Sequence, residues 1–159
     1  MGTSERICAK AQAVLMPDEQ AVAARVGTNP NLNTAGIGGA VGGLAAHAVR
    51  SATMPKGPAS GMAARLSASS DQTLVLVVTT HRLVVFEKGL GTNLKRPILG
   101  AGPTDLRRVE VVSGAFKTPC VNLDFADGSA ATIKLAQGRG LEPLRHALAT
   151  LAPHAAAAA

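Results

Sequence analysis

Residues that could ligate a metal or act as a nucleophile are few in this chain and poorly spaced for either role. His47, His81, His146 and His154 show no His-x-x-x-His pattern, and Cys8 and Cys120 form no Cys-x-x-Cys pair. A zinc site needs donors that converge tetrahedrally, and local spacing normally supplies at least two of them. The histidines read better as solvated or helix-capping groups. Ser60 in Ala59-Ser60-Gly61 and Ser113 before Gly114 lack the Gly-x-Ser-x-Gly turn that raises a nucleophile above a sheet. Cys120 opens an apolar strand candidate, where a thiol is usually a small buried side chain. Gly36-x-Gly38 begins like a dinucleotide fingerprint, but Val41 stands at the third glycine position and a turn precedes it where a buried strand is needed. Asp124 and Asp127 flank a hairpin, as an outward carboxylate and a turn former. No catalytic, cofactor-binding or metal-ligating residue is predicted, and no cofactor.

Charge carries more information than nucleophiles do. The chain of 159 residues has a formal net charge of +6 and a pI near 10, a bias toward anionic partners such as an anionic membrane surface or an acidic protein face. The densest basic group is Lys95, Arg96, Arg107 and Arg108, a candidate contact for an anionic surface whose simpler reading is a solvated face. Nucleic-acid binding is disfavoured, because it usually needs clustered cations with aromatic stacking platforms. Here the aromatics are only Phe86, Phe116 and Phe125. Arg82, just past a short polar break, is expected to fix a hairpin by bonding loop carbonyls before it is expected to meet a ligand.

The elements that must position these groups are strongly patterned in the second half. Residues 73–88 read T-L-V-L-V-V-T-T-H-R-L-V-V-F-E-K, two β-branched apolar runs around a polar break, which predicts a buried hairpin. Residues 121–135 alternate apolar and polar on either side of Asp127-Gly128 and predict a second. Short strands are expected at 97–99 and 106–112, with a glycine-rich turn at 89–93. Leu141, Leu144, Leu148 and Leu151 then share one helical stripe, with Pro143 in the first turn. Ahead of the hairpins, Ser4 can cap a helix over 4–16 that Pro17 stops, and 21–26 reads as a brief strand. The tail 152–159 has no evident face to bury and is expected to fray. The opening Met-Gly-Thr-Ser-Glu-Arg lacks a signal-peptide pattern, so a cytoplasmic home with reduced thiols is expected, with peripheral membrane contact as an option.

One segment is unusual. On a helical wheel of residues 35–50, Ala35, Gly39, Gly42, Gly43 and Ala46 share a smooth face opposite a ridge of Ile37, Val41, Leu44 and Ala48. Each interior glycine costs a helix about 1 kcal/mol relative to alanine, so five cost roughly 5 kcal/mol, and close packing must offset that. Small-xxx-small spacing permits such packing. The apolar run would cover only about 22 Å of a hydrocarbon core about 30 Å thick, too short for a full span. The smooth face is therefore the candidate surface for self-association or membrane contact, and a homo-oligomer is expected.

With the first strand included, about seven strands precede one amphipathic helix, and the chain resembles the bacterial pleckstrin-homology-like family, including its GRAM-type relatives. The resemblance is carried by Val77-Val78-Thr79-Thr80-His81-Arg82-Leu83-Val84-Val85-Phe86, by Pro97-Ile98 and Asp105-Leu106, and by Phe125-Ala126-Asp127-Gly128, within 73–151. It implies an α+β, mainly β fold: a seven-stranded antiparallel barrel or sandwich capped by a C-terminal helix, with residues 35–70 as a glycine-rich helical insertion after the first strand. It implies a single domain over 1–159, used as a platform for protein or membrane contact. The basic pair by which eukaryotic members hold inositol phosphates has no match near 26–34, and the tryptophan of their C-terminal helix is missing, so lipid binding is not carried over. The expectation is a non-enzymatic adaptor. The alternatives are a small-ligand binder or enzyme using the barrel mouth, and a weak nucleic-acid binder.

Overall fold

A computed structural model describes residues 2–28, 60–67, 73–113, 118–137 and 141–157. The stripe Ala35, Gly39, Gly42, Gly43 and Ala46, and most of the expected insertion, lie outside the described residues. The rest is mainly β. Seven strands, β1 (Ala21–Thr28), β2 (Thr73–Thr79), β3 (Leu83–Lys88), β4 (Leu94–Ala101), β5 (Leu106–Ser113), β6 (Pro119–Phe125) and β7 (Ala130–Leu135), form one antiparallel sheet in the order β4-β3-β2-β1-β7-β6-β5. Helices α1 (Thr3–Gln12), α2 (Met62–Ser67), α3 (Glu142–Leu151) and α4 (Pro153–Ala157) pack around it.

The near-continuous apolar runs of β2 and β3 follow from burial on both faces. Leu74, Leu76, Val78, Leu83 and Val85 enter a large core that also takes residues from β1 and β4 to β7, so the sheet curls around a shared interior. Val75, Val77, Val84 and Phe86 point the other way, beneath Ile7 and Ala11 of α1. Burying Ile7 alone stabilises by about 1.5–3 kcal/mol. Strands β6 and β7 keep the alternation expected of a sheet with one wet face. The two halves of the sheet meet at Gly27, which pairs with Leu74 of β2 and Leu135 of β7. A Cβ there would stand 2.7 Å from Ile133 Cγ2 and 3.1 Å from both Leu76 Cδ1 and the Lys134 carbonyl oxygen, so the close approach excludes a side chain.

Both expected hairpins are present. Gly128 adopts φ +84°, the left-handed region that Asp-Gly turns exploit. Its neighbour Asp127 also ties α2 to the hairpin. Oδ1 accepts the Ser129 N–H at 2.8 Å, and Oδ2 accepts the Met62 N–H at 2.7 Å. The Ala63 N–H also bonds Ser129 Oγ at 3.1 Å. The bonds that Asp127 accepts, that of the Ser129 hydroxyl first, hold its carboxyl below the usual carboxylate range.

Several boundaries differ from expectation. Gly2, not Ser4, precedes α1, and Ser4 lies inside the helix with its hydroxyl donating to the Ala24 carbonyl at 2.7 Å. The strand expected at 97–99 is the longer β4, which tolerates Pro97 because it lies at one end of the strand order, with two register shifts against β3. At the other end, β5 has its Val111 carbonyl bonded by Arg145 Nη2 at 3.4 Å, and its Leu106 carbonyl 3.1 Å from His154 Nε2. The tail expected to fray instead carries α4, and Ala155 within it and Ala152 just before it are fully buried in the main core. Alanine is small enough to be pressed against the sheet without needing a stripe of large residues.

Candidate functional site

The most highly engaged polar group among the described residues is Glu19, whose side chain is fully buried. It follows α1 through a tight turn in which its N–H bonds the Met16 carbonyl at 3.0 Å. Gln12, in the last turn of α1, donates from Nε2 to the Glu19 carbonyl at 2.6 Å and accepts the Ala21 N–H at 3.0 Å, so helix and strand β1 are stitched across the turn. From the opposite side comes the tip of the β2–β3 hairpin. Arg82 grips the carboxylate with Nε to Oε1 at 2.8 Å and Nη2 to Oε2 at 3.0 Å. The Thr79 hydroxyl donates to Oε1 at 2.6 Å and accepts the N–H groups of His81 and Arg82 at 3.2 and 3.0 Å.

Arg82 thus does fix its hairpin, but through a carboxylate 63 residues away rather than through loop carbonyls. A planar fork matched to a carboxylate is the strongest geometry for such a pair. Its hydrogen bonds lower the Glu19 pKa most; burial pushes the other way, and the Thr79 hydroxyl, the Arg82 charge and the Met16 N–H lower it further, to about 2. The same bonds raise Arg82. Both oxygens of the carboxylate are committed to Arg82 and Thr79, so the cluster ties the β2–β3 hairpin to the α1–β1 turn as a structural rivet.

Beside the rivet a groove of about 250 Å³ runs over the outer face of β3 and β4. Val14, Leu15, Pro97 and Ile98 line it together with Arg65 and Arg82. Arg82 spends Nε and Nη2 on Glu19, and its Nη1 lies 3.3 Å from where a Cβ on Gly100 would sit. The missing side chain at Gly100 is what leaves that nitrogen reachable from the groove. Val14 and Met16, in the turn after α1, are 63 % and 51 % exposed.

The basic residues singled out from the sequence fall as two pairs on different strands. Lys95 and Arg96 lie on β4 and Arg107 and Arg108 on β5, the strands at the two ends of the sheet order. All four are exposed; a register shift between Leu106 and Arg108 turns both arginines outward. Arg96 bonds the largely buried Glu87 from Nε at 3.0 Å and Nη2 at 3.3 Å, and Arg108 bonds Glu110 at 3.2 Å. Cys120 is buried and His81, His146 and His154 are exposed. Among the described residues no three His, Cys, Asp or Glu side chains gather to hold a metal ion, and no helix is long and apolar enough to cross a membrane. The Glu19–Arg82 pairing was missed because neither partner has a telling neighbour in the chain. The only signal was an acid immediately before a strand and an arginine immediately after a tight turn.

No protein-family model, curated protein or solved structure matches this chain.

Proposed function

We propose that this chain is a non-enzymatic interaction module with a pleckstrin-homology-like frame, acting as an adaptor through contact with a partner surface. Seven antiparallel strands followed by a helix are the element order that the resemblance implies, and they support the frame. The observation that carries the contact role is the pairing of exposed aliphatic side chains, Val14 and Met16, with a groove bordered by two arginines. Apolar side chains left in water beside oriented cations are what a docking surface offers before its partner arrives. The polar groups next to it are committed to holding the frame rigid, which lowers the ordering cost of binding.

The test is positional. A photo-crosslinking amino acid placed at Met16, in cells that produce the chain, is expected to yield discrete adducts, whether to a second copy, another protein or a lipid. The same probe at Leu90, 91 % exposed on the far turn of β3–β4, is expected to yield none. Equal labelling at both positions, or none at Met16, would overturn the reading.

A further inference from the structure

The groove has a chemistry of its own, and it points to a narrower class of partner. Of the ten described residues that line it, two are arginines and none is acidic, and the remainder are aliphatic, aromatic, proline or glycine. Glu19 neutralises Arg82 from below but occupies only Nε and Nη2, so Nη1 still presents donors on the groove side of the guanidinium. Arg65 reaches the same groove from α2, which the Asp127–Ser129 turn holds in place. Two arginines that line one recess, Arg82 fixed by Glu19 and Arg65 carried on α2, suit a carboxylate, because each can contribute charge-assisted hydrogen bonds.

We propose that this groove binds an acidic segment of a partner protein, with one Asp or Glu side chain held between Arg65 and Arg82 and its aliphatic neighbours laid against Val14, Leu15, Pro97 and Ile98. This rests on the contact role set out above and names the partner's chemistry. The apolar walls flank a recess instead of crowning a tip. A recess receives an inserted side chain, whereas a bilayer surface calls for a protruding apolar element. The groove is not enclosed, which suits a peptide segment more than a small molecule that must be buried. Gly100 becomes a specificity residue: a Cβ there would press on Arg82 Nη1 at 3.3 Å, and a branched side chain would cover the route to it.

The test uses the full chain and an array of fluorescein-labelled pentapeptides with a central Glu, flanked by Ala, Val, Leu and Ile, measured by anisotropy. Members of the array are expected to bind, with affinity falling as salt rises. The matched array with central Gln is expected to bind roughly tenfold or more weakly, as loss of a charge-assisted bond implies. Arg65→Ala, at an exposed position, is expected to weaken binding about tenfold, and Gly100→Val to abolish it with the far-UV circular dichroism unchanged. If Gly100→Val does not fold, Arg65→Ala alone decides. Equal binding of Glu and Gln arrays, no binding of either, or indifference to Arg65→Ala would overturn the proposal. Recovery on phosphatidylglycerol vesicles that depends on Arg65, with no peptide bound, would overturn it in favour of a membrane. Adducts at Met16 without peptide binding would sink this proposal and spare the contact role. Peptide binding without such adducts would uphold the groove's chemistry and overturn only the placement of the cellular partner beside Met16.

Discussion

Replacing Glu19 by glutamine keeps the shape of the side chain and removes the charge that Arg82 addresses with two nitrogens. The folded chain holds this carboxyl at about 2, against 4.5 for an ordinary glutamate. At about 1.36 kcal/mol per pKa unit, that difference corresponds to about 3 kcal/mol, an upper figure because Arg82 is a third exposed and partly screened. The sign follows from linkage. A folded-state pKa below the unfolded one gives stabilisation that is complete above about pH 4.5 and is lost as the pH falls toward 2; by pH 3 less than half remains. Urea unfolding followed by far-UV circular dichroism is the assay, since the chain has neither Trp nor Tyr for intrinsic fluorescence. At pH 7 Glu19→Gln is expected to lose up to about 3 kcal/mol, equivalent to a fall in Tm of at most roughly 6–12 °C for a chain of this size. The gap between wild type and variant should narrow steadily below pH 4.5. A gap that is the same at pH 7 and pH 3, or below about 1 kcal/mol at pH 7, would refute the view that the ion pair rivets the hairpin to the α1–β1 turn.

Arg82→Ala leaves Glu19 buried without its cation and should cost more than Glu19→Gln, about 3–5 kcal/mol by the same urea titration. Gly27→Val drives a side chain into Ile133 and the Lys134 carbonyl; a loss of at least about 1–3 kcal/mol is expected, read from the urea midpoint at constant slope. Asp127→Ala removes the acceptor of the Met62 N–H, so amide exchange at Met62 and Ala63 should quicken while β2 and β3 stay protected. Ala155→Leu overfills the core beneath α4 and should lower Tm, corresponding to about 1–3 kcal/mol; an unchanged Tm would mean that α4 does not stay docked.

What could be read from the sequence was what local pattern encodes. The hairpins at 73–88 and 121–135 announce themselves through β-branched runs and Asp127-Gly128, and the last helix through its leucine stripe, because each pattern reflects burial of one element. Long-range partnerships leave no such trace. Glu19 and Arg82 meet only because strands β1 and β2 pair, and Arg65 enters the groove only because Asp127 holds α2. The groove itself depends on an empty position, Gly100, whose meaning appears only once Arg82 lies over it. The tail misled for a related reason: Ala155 carries too little hydrophobic area to form a stripe, and its burial is set by what α4 is pressed against.

The two outermost strands are each guarded differently, and the guarding limits how copies of this chain can meet. Pro97 has no N–H to offer, two register shifts break the ladder rhythm of β4, and Lys95 and Arg96 add charge, while Arg145 and His154 already address carbonyls of β5. A newcomer strand would find a faulty template on one flank and occupied acceptors on the other. End-to-end polymerisation, the standing hazard of a valine-rich sheet, is thereby discouraged, and encounters are steered toward side chains on the faces, where association stays finite and reversible.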